Sequence, residues 1–125
     1  MAASVPSGSA LADSAGRTRM SRNLIVRPRS VIDVADIFDY FLTKSKRVAV
    51  RFLDAHDTAV SAIESDPEGG NRLVLPDLGG TQFYYRRPVG FGSYLIIYRF
   101  DGTTIEILRT MHASQNLYSL VDRLE

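Results

Sequence analysis

The apolar residues of this chain change their spacing several times, and each change predicts a new element. A short β-prone run at residues 23–27 is followed by Pro28, which ends it. Apolar side chains then recur at i, i+3, i+4 and i+7, which predicts an amphipathic helix whose buried stripe contains Val34, Ile37, Phe38 and Phe41. Ser30 and Asp33 have the spacing of a capping box, with Asp in the place of Glu, and predict where this helix begins.

Three carboxylates of the first helix lie off its apolar stripe: Asp33, Asp36 and Asp39. Such a group can suggest a metal site. Here the carboxylates alternate with core positions near the positive end of the helix, where negative charge is favourable. We therefore expect them on a solvated face, with no bound metal.

A second helix is predicted from about Ser45 to Ser65, where Asp66-Pro-Glu-Gly-Gly ends it. Its apolar stripe also contains a histidine, and the stripe comprises Ala49, Phe52, Leu53, His56, Val60 and Ile63. We interpret His56 as a boundary residue with one hydrogen-bonded nitrogen, because this is commoner for a lone histidine than a role as ligand or base. Only residues 44–46 separate the helices, which predicts an antiparallel helical hairpin.

Residues 71–80 are interpreted as a loop, and three β-prone runs follow at residues 81–87, 93–100 and 104–112. Asp101-Gly102 is a strong hairpin signal, because glycine supplies the positive φ that a tight turn needs. A further stripe, Leu117, Leu120, Val121 and Leu124, predicts a short last helix capped by Ser114. The predicted fold is α+β in the order β-α-α-β-β-β-α: a helical hairpin packed on a small antiparallel sheet, with a short C-terminal helix.

Composition narrows the functional classes. The chain has 125 residues, 45% of them hydrophobic, which suits one domain with one core. A net charge of +1 gives no bulk attraction to nucleic acid or to a membrane surface. The absence of cysteine and the presence of only two histidines exclude disulfides and thiolate metal sites and nearly exclude imidazole sites. We expect a cytoplasmic protein with no cofactor and no membrane partner.

The first twenty residues differ in composition from the rest. They are rich in Ala, Ser and Gly and show no apolar periodicity. We interpret residues 1–20 as a disordered tail or leader, or as sequence upstream of a true start at Met20. Residues 21–125 then form the functional domain.

The chemistry that the sequence offers is carried by arginine, since no phosphate-binding glycine loop, H-E-x-x-H motif or convincing catalytic triad is present. Four arginines lie on or beside the predicted strands: Arg86, Arg87, Arg99 and Arg109. A guanidinium group suits bidentate recognition of phosphate or carboxylate, although surface ion pairs and edge protection explain the first three equally well. Arg109 lies within an apolar strand, which favours function. We expect Arg99 beside Arg109 and Glu106 on the opposite face.

Several segments stand in a characteristic order: Ala49-Val-Arg-Phe-Leu-Asp54, Asp66-Pro-x-x-Gly, Leu75-Pro-x-Leu78, Tyr94-Leu-Ile-Ile-Tyr-Arg99 and Ile105-Glu-Ile-Leu-Arg-Thr-Met-His112. Together they resemble the ParE branch of the ParE/RelE superfamily of bacterial type II toxins, over about residues 24–120. The resemblance implies a toxin that inhibits DNA gyrase, has no enzymatic activity and does not itself bind nucleic acid sequence-specifically. It also implies neutralisation by a ParD-like antitoxin.

Two groups of candidate site residues follow from the resemblance and the pattern together. The candidates for target contact lie on or beside the strands: Arg109, His112, Arg99 and Arg87. The candidates for antitoxin contact are aromatic residues near one sheet edge and the basic opening turns of the second helix: Phe83, Tyr85, Phe91, Arg47 and Arg51. An apolar groove at this edge would be covered by a helix or an added strand.

One position departs from the family pattern. After the closing histidine the family has a small pair and then Arg-Asp, whereas this chain has Ala113-Ser-Gln-Asn116. If that arginine contributes to toxicity, Gln115 removes its charge and implies an attenuated toxin or a different target.

Two other functions stay open. A RelE-like ribosome-dependent mRNA endoribonuclease would use cationic groups and a proton-transferring group, for which Arg109 and Tyr118 are the candidates. Lysines expected in that branch are replaced by Gln82, Phe83 and Tyr84, and Leu95 stands where an arginine is expected, which favours the non-enzymatic function. The third function is a non-toxic module that sequesters antitoxin.

Overall fold

The computed structural model describes residues 23–73 and 82–115, which form two helices packed on one face of a five-stranded sheet. The elements are β1 (Asn23–Val26), α1 (Pro28–Leu42), α2 (Lys46–Ser65), a 3-10 turn (Pro67–Gly69), β2 (Asn71–Leu73), β3 (Phe83–Arg86), β4 (Tyr94–Phe100) and β5 (Thr104–His112). The strand order is β1-β5-β4-β3-β2, with β1 parallel to β5 and the other pairs antiparallel. The predicted α+β class and helical hairpin are confirmed.

Helix α1 begins two residues before the predicted capping box. Pro28 occupies its first turn, and Arg27 is the N-cap without a side-chain cap bond. The fixed φ of proline suits the first helical position, which explains the early start. Ser30 and Asp33 are instead buried inside the helix, so the predicted capping role is wrong.

Helix α2 agrees with its predicted bounds. The side chain of Ser45 accepts a hydrogen bond from the Val48 N–H at 3.3 Å and caps the helix. The connection from α1 is tight, because the Phe41 carbonyl accepts the N–H groups of Lys44 and Ser45. The stop at Asp66-Pro67 is confirmed, since α2 ends at Ser65.

The predicted loop at residues 71–80 is wrong at its start. Residues 71–73 form β2, an edge strand that pairs with β3 through Asn71–Tyr85 and Leu73–Phe83. Three residues are too few to show the two-residue period of a strand, so pairing with β3 decides the conformation. The remainder of that loop, the predicted last helix after residue 115, and residues 1–22 lie outside the described residues.

Residues 95–98 of the central strand β4 form an uninterrupted buried run because both faces of the sheet are buried there. Ile96 and Tyr98 contact the helix side, in a cluster that includes Ala59, Ile63, Tyr84, Ile105 and Ile107. Leu95 and Ile97 point to the second face, in a cluster with Phe83, Leu108 and Met111. A continuous apolar run therefore marks a strand buried on both faces.

A bulge in β5 changes which residues are neighbours. Ile97 pairs with Arg109 and Tyr98 pairs with Ile107, so Leu108 has no opposite partner. Arg99 lies opposite Glu106, and Arg109 lies opposite Ile97, two residues before Arg99. Alternate residues of a strand share a face, so the expectation that Glu106 lies on the other face of the sheet is wrong, whereas Arg99 and Arg109 are two positions apart in the register.

Two further observations concern residues 23–73 and 82–115 only. No helix in these ranges is long and apolar enough to cross a membrane. No group of three or more His, Asp or Glu side chains is placed there to hold a metal ion.

Candidate functional site

Arg109, the arginine of the closing motif, is buried and paired with a carboxylate from α1. Asp33 Oδ2 accepts the Arg109 Nε–H at 2.7 Å, and Asp33 Oδ1 accepts from Nη2 at 3.0 Å. Both side chains are more than nine-tenths buried. This bidentate geometry is the strongest that a guanidinium group makes with a carboxylate.

Asp33 also completes the edge of the sheet. Strand β1 stops at Val26, and the Arg27 N–H makes the last bond to β5, at the Ile107 carbonyl. Beyond that point Asp33 Oδ2 accepts the backbone N–H of Thr110 at 3.0 Å. The carboxylate thus replaces a strand partner, so the predicted solvated position of Asp33 is wrong.

The same cluster extends to α2 through a buried histidine. His56 Nε2 lies 2.8 Å from Thr110 Oγ1, so one ring nitrogen is hydrogen-bonded, as expected from the sequence. Burial lowers the pKa of His56, and the charge of Asp57 opposes this shift only in part. His56 therefore joins α2 to β5 as a neutral group at neutral pH.

His112, at the end of the motif, lies nearer the surface than Arg109. Its Nδ1 accepts the Ser114 N–H at 3.1 Å, so in the neutral ring we assign the proton to Nε2. The His112 N–H donates to Gln115 Oε1 at 2.8 Å. Gln115 thus holds the turn after β5, a role that does not require the charge of the family's arginine.

A cleft of about 400 Å³ lies beside the Asp33–Arg109 pair and is open to solvent at His112. Its walls include Tyr40, Tyr94 and Arg29. The Tyr94 and His112 rings meet edge to face with centroids 5.2 Å apart, which fixes the imidazole against β4. The accessible chemistry of the motif is therefore an imidazole packed against the Tyr94 ring.

Arg99 takes part in a separate ion network on the second face. Glu106 Oε1 accepts Arg99 Nε at 2.6 Å, and Glu106 Oε2 pairs with Arg27 Nε. Burial alone would raise the pKa of Glu106, but the hydrogen bonds and charges of Arg27 and Arg99 outweigh it and lower that pKa. The guanidinium group of Arg99 is therefore already paired with a carboxylate of the same chain.

Arg87 lies after β3 and is exposed, and its Nη1 donates to the Gly92 carbonyl. Its guanidinium carbon lies 5.6 Å from the centroid of the Tyr85 ring, which is a cation–π distance. Four candidate target residues thus occupy separate places: Arg109 is buried, Arg99 and Arg87 bind within the chain, and His112 borders the cleft.

The aromatic candidates for antitoxin contact are not brought together. Phe83 is buried in the second-face cluster, and Tyr85 packs half-buried beside it. Phe91 lies on the helix side, 5.5 Å from Phe41 and 5.4 Å from Phe52 between ring centroids. The expected groove formed by all three is therefore wrong.

The basic candidates at the start of α2, Arg47 and Arg51, are one helical turn apart and both exposed.

The sequence pattern missed a second exposed surface, where apolar side chains of β1 and early α1 face solvent. Its members are Ile25, Val26, Val31 and Ile32, which are 48%, 44%, 57% and 48% exposed. One signal in the sequence could have revealed this surface: Val31 and Ile32 are apolar but do not belong to the buried stripe of α1.

Comparison with known proteins is consistent with this geometry. A solved structure described as a chromosomal ParDE toxin-antitoxin system from P. aeruginosa is similar in fold, with a TM-score of 0.56 and 17% identity. The alignment covers 74% of this chain and 96% of that chain. No curated protein matches. The profile of the ParE toxin of the type II toxin-antitoxin system parDE matches residues 24–117, so the chain belongs to the ParE toxin family.

Proposed function

We propose that this ParE toxin inhibits DNA gyrase in the bacterial cytoplasm, without catalysing a reaction, and that a ParD-like antitoxin neutralises it. The family membership carries the toxin assignment. The choice of gyrase as the target follows from the family, and the choice of a non-enzymatic mechanism rests on the state of the arginines.

Cleavage of RNA would need cationic groups gathered around the scissile phosphate to stabilise the charge of the transition state. Within residues 82–115 each of the three candidate arginines has a partner within the chain: Arg109 has Asp33, Arg99 has Glu106, and Arg87 has the Gly92 carbonyl. Phe83, Tyr84 and Leu95, which stand where the nuclease branch has basic residues, are buried and apolar or aromatic. These observations favour inhibition by binding over RNA cleavage.

The surface proposed to contact gyrase is the His112 cleft. His112 and Tyr94 belong to the segments that resemble the family, and both line a space that a partner's side chain can enter. The role of Arg109 is indirect. Its pair with Asp33 holds β5 in place and therefore sets the position of His112. The single observation that carries this assignment is that Arg109 is buried and paired with Asp33, whereas His112 is partly exposed and lines the cleft.

The test is ATP-dependent supercoiling by purified gyrase, together with an mRNA-cleavage assay on translating ribosomes. We expect loss of supercoiling, recovery when the antitoxin is added, and intact mRNA. Cut mRNA with normal supercoiling would instead identify a RelE-like nuclease. Normal growth of cells that express the folded chain alone, with both assays negative, would identify a module that only sequesters antitoxin.

A further inference from the structure

A second cleft, of about 330 Å³, lies between α2 and the end of β3. Its α2 wall consists of small side chains that share one face of the helix: Ala55, Thr58, Ala59 and Ala62. Arg86, Arg87 and Val89 form the other wall, and Asp54 also lines the space. None of these residues lines the His112 cleft, so the two spaces are separate.

Arg86 is the arginine of the strands to which the proposed function gives no role. Its Nε–H is buried and has no hydrogen-bond partner. The ion pairs among the described residues use other arginines, namely Arg27, Arg29, Arg99 and Arg109. A buried donor without a partner is costly, so an acceptor that reaches the Arg86 guanidinium through the cleft is favoured.

The Asp33–Arg109 pair shows the kind of acceptor that fits a guanidinium group in this chain. There the two oxygens of one carboxylate accept from Nε and Nη2 of Arg109. This side-on geometry uses the same Nε–H that is unpaired in Arg86. A carboxylate in the cleft would therefore supply the missing acceptor.

The charge of the lining selects a monoanion. Arg87 donates to the Gly92 carbonyl, which is neutral, so the positive charge of its guanidinium group is not cancelled. Two arginines and one aspartate give the lining a net charge of +1. A carboxylate of charge −1 matches it better than a phosphate monoester, which carries about −1.5 to −2 at neutral pH.

The rest of the cleft is suited to a short hydrocarbon. The alanines of α2 present methyl groups, and Val89 on the opposite wall is 85% exposed. An aliphatic group between them would remove apolar surface from water on both walls. A ligand with one carboxylate and a short aliphatic body satisfies the two halves of the cleft.

We propose that this cleft binds a small aliphatic monocarboxylate, whose carboxylate pairs with Arg86 and Arg87 and whose hydrocarbon lies along the alanines of α2. Pockets for small ligands commonly combine an apolar wall with a few charged groups that fix the orientation. The proposal does not depend on the target or on the antitoxin, since no residue of the His112 cleft takes part.

The test is an NMR titration of the full, isotope-labelled chain with 4-methylpentanoate. We expect saturable shifts at the amides of Ala55, Thr58 and Ala62. Two probes separate the halves of the ligand: 4-methylpentan-1-ol has the hydrocarbon without the charge, and acetate has the charge without the hydrocarbon. Each should bind at least tenfold more weakly than 4-methylpentanoate.

Variants assign the binding to this cleft. Arg86→Gln should weaken the binding of 4-methylpentanoate at least tenfold, whereas Arg47→Gln, at an exposed position near the start of α2, should change it less than twofold. Ala62→Leu fills the cleft and should abolish binding. Ser61→Leu adds the same side chain at the exposed neighbouring position and is its control. The midpoint of thermal unfolding shows that each variant is folded.

Each other result overturns the proposal. Absence of saturable shifts in the folded chain would refute the site. Equal affinity for the alcohol would exclude recognition by the arginines, and equal affinity for acetate would identify an adventitious ion only. Tighter binding of 3-methylbutyl phosphate would refute the choice of a monocarboxylate. Unchanged affinity in Ala62→Leu would place the ligand elsewhere.

Discussion

At the scale of single residues, the pair formed by Asp33 and Arg109 determines what the closing motif can do. A buried guanidinium needs a counterion, and the partner comes from a helix 76 residues earlier in the chain. The sequence pattern identified Arg109 as unusual but could not show its partner, because no local period joins residues so far apart. Asp33 was instead grouped with its exposed neighbours on α1.

Replacing Asp33 tests this pair. Asp33→Asn leaves Arg109 buried without a counterion and weakens the bond to the Thr110 N–H. We expect the free energy of unfolding to fall by about 3–5 kcal/mol, as for other broken buried ion pairs. The measurement is urea unfolding. Asp36→Asn, an exposed change on the same helix, should cost less than about 0.5 kcal/mol.

A loss in Asp33→Asn no larger than that in Asp36→Asn would contradict the structural role of the Asp33–Arg109 pair.

His56 predicts a dependence of stability on pH. Burial lowers its pKa below the ordinary value of 6.5, so the folded chain binds fewer protons than the unfolded chain in that range. The stability that it contributes is present above about pH 6.5 and is lost as the pH falls through the folded pKa. His56→Gln retains a polar group toward Thr110 but does not titrate.

The measurement is the free energy of unfolding of both proteins between pH 7.5 and 5. The native chain should lose more stability on acidification than His56→Gln does. Asp57 and Thr110, which neighbour His56, are the same in both proteins. Parallel pH profiles would refute the prediction.

At the scale of elements, regions with a clear period were predicted well and short irregular regions were not. The bounds of α2 and the β4–β5 hairpin follow from apolar spacing, a serine cap and Asp101-Gly102. β2 was missed because three residues carry no period, and the bulge at Leu108 was missed because it depends on pairing between strands. The exposed side chains of Val31 and Ile32 were missed because only one apolar stripe was assigned to α1.

The β4–β5 turn allows a controlled test of backbone conformation. Gly102 has φ +100°, a region that side chains disfavour, and no atom lies within 4 Å of an added Cβ. Gly102→Ala should therefore destabilise the chain by about 1 kcal/mol through backbone strain alone. Gly92→Ala is the matched control, because its added Cβ also meets open space and its φ is not positive. Thermal or urea unfolding that gives the same stability for both variants would contradict this account.

At the scale of the whole molecule, the cluster around Asp33 joins the helical layer to the sheet. Asp33 fixes the end of β5 under the His112 cleft, on the same edge of β5 that pairs with β1. Helix α1 thus supports both the sheet and one wall of the cleft that we propose for contact with gyrase.

The burial of Arg109 and the partial exposure of His112 predict variants that differ in stability. His112→Ala should reduce gyrase inhibition about tenfold or more without changing the midpoint of unfolding, since His112 is only partly buried. Arg109→Ala should lose inhibition together with stability, because it leaves Asp33 buried without its partner. Paired inhibition and unfolding measurements distinguish the two effects. A fall in the midpoint of unfolding of His112→Ala as large as that of Arg109→Ala would contradict this distinction.

The most direct test of the central claim is supercoiling of relaxed plasmid by purified gyrase and ATP, titrated with the folded wild-type chain. The account predicts inhibition that is dose-dependent, is reversed by the antitoxin and is weakened by His112→Ala. Full supercoiling at every concentration of a chain that is shown to be folded and to bind its antitoxin would contradict the assignment of gyrase as the target.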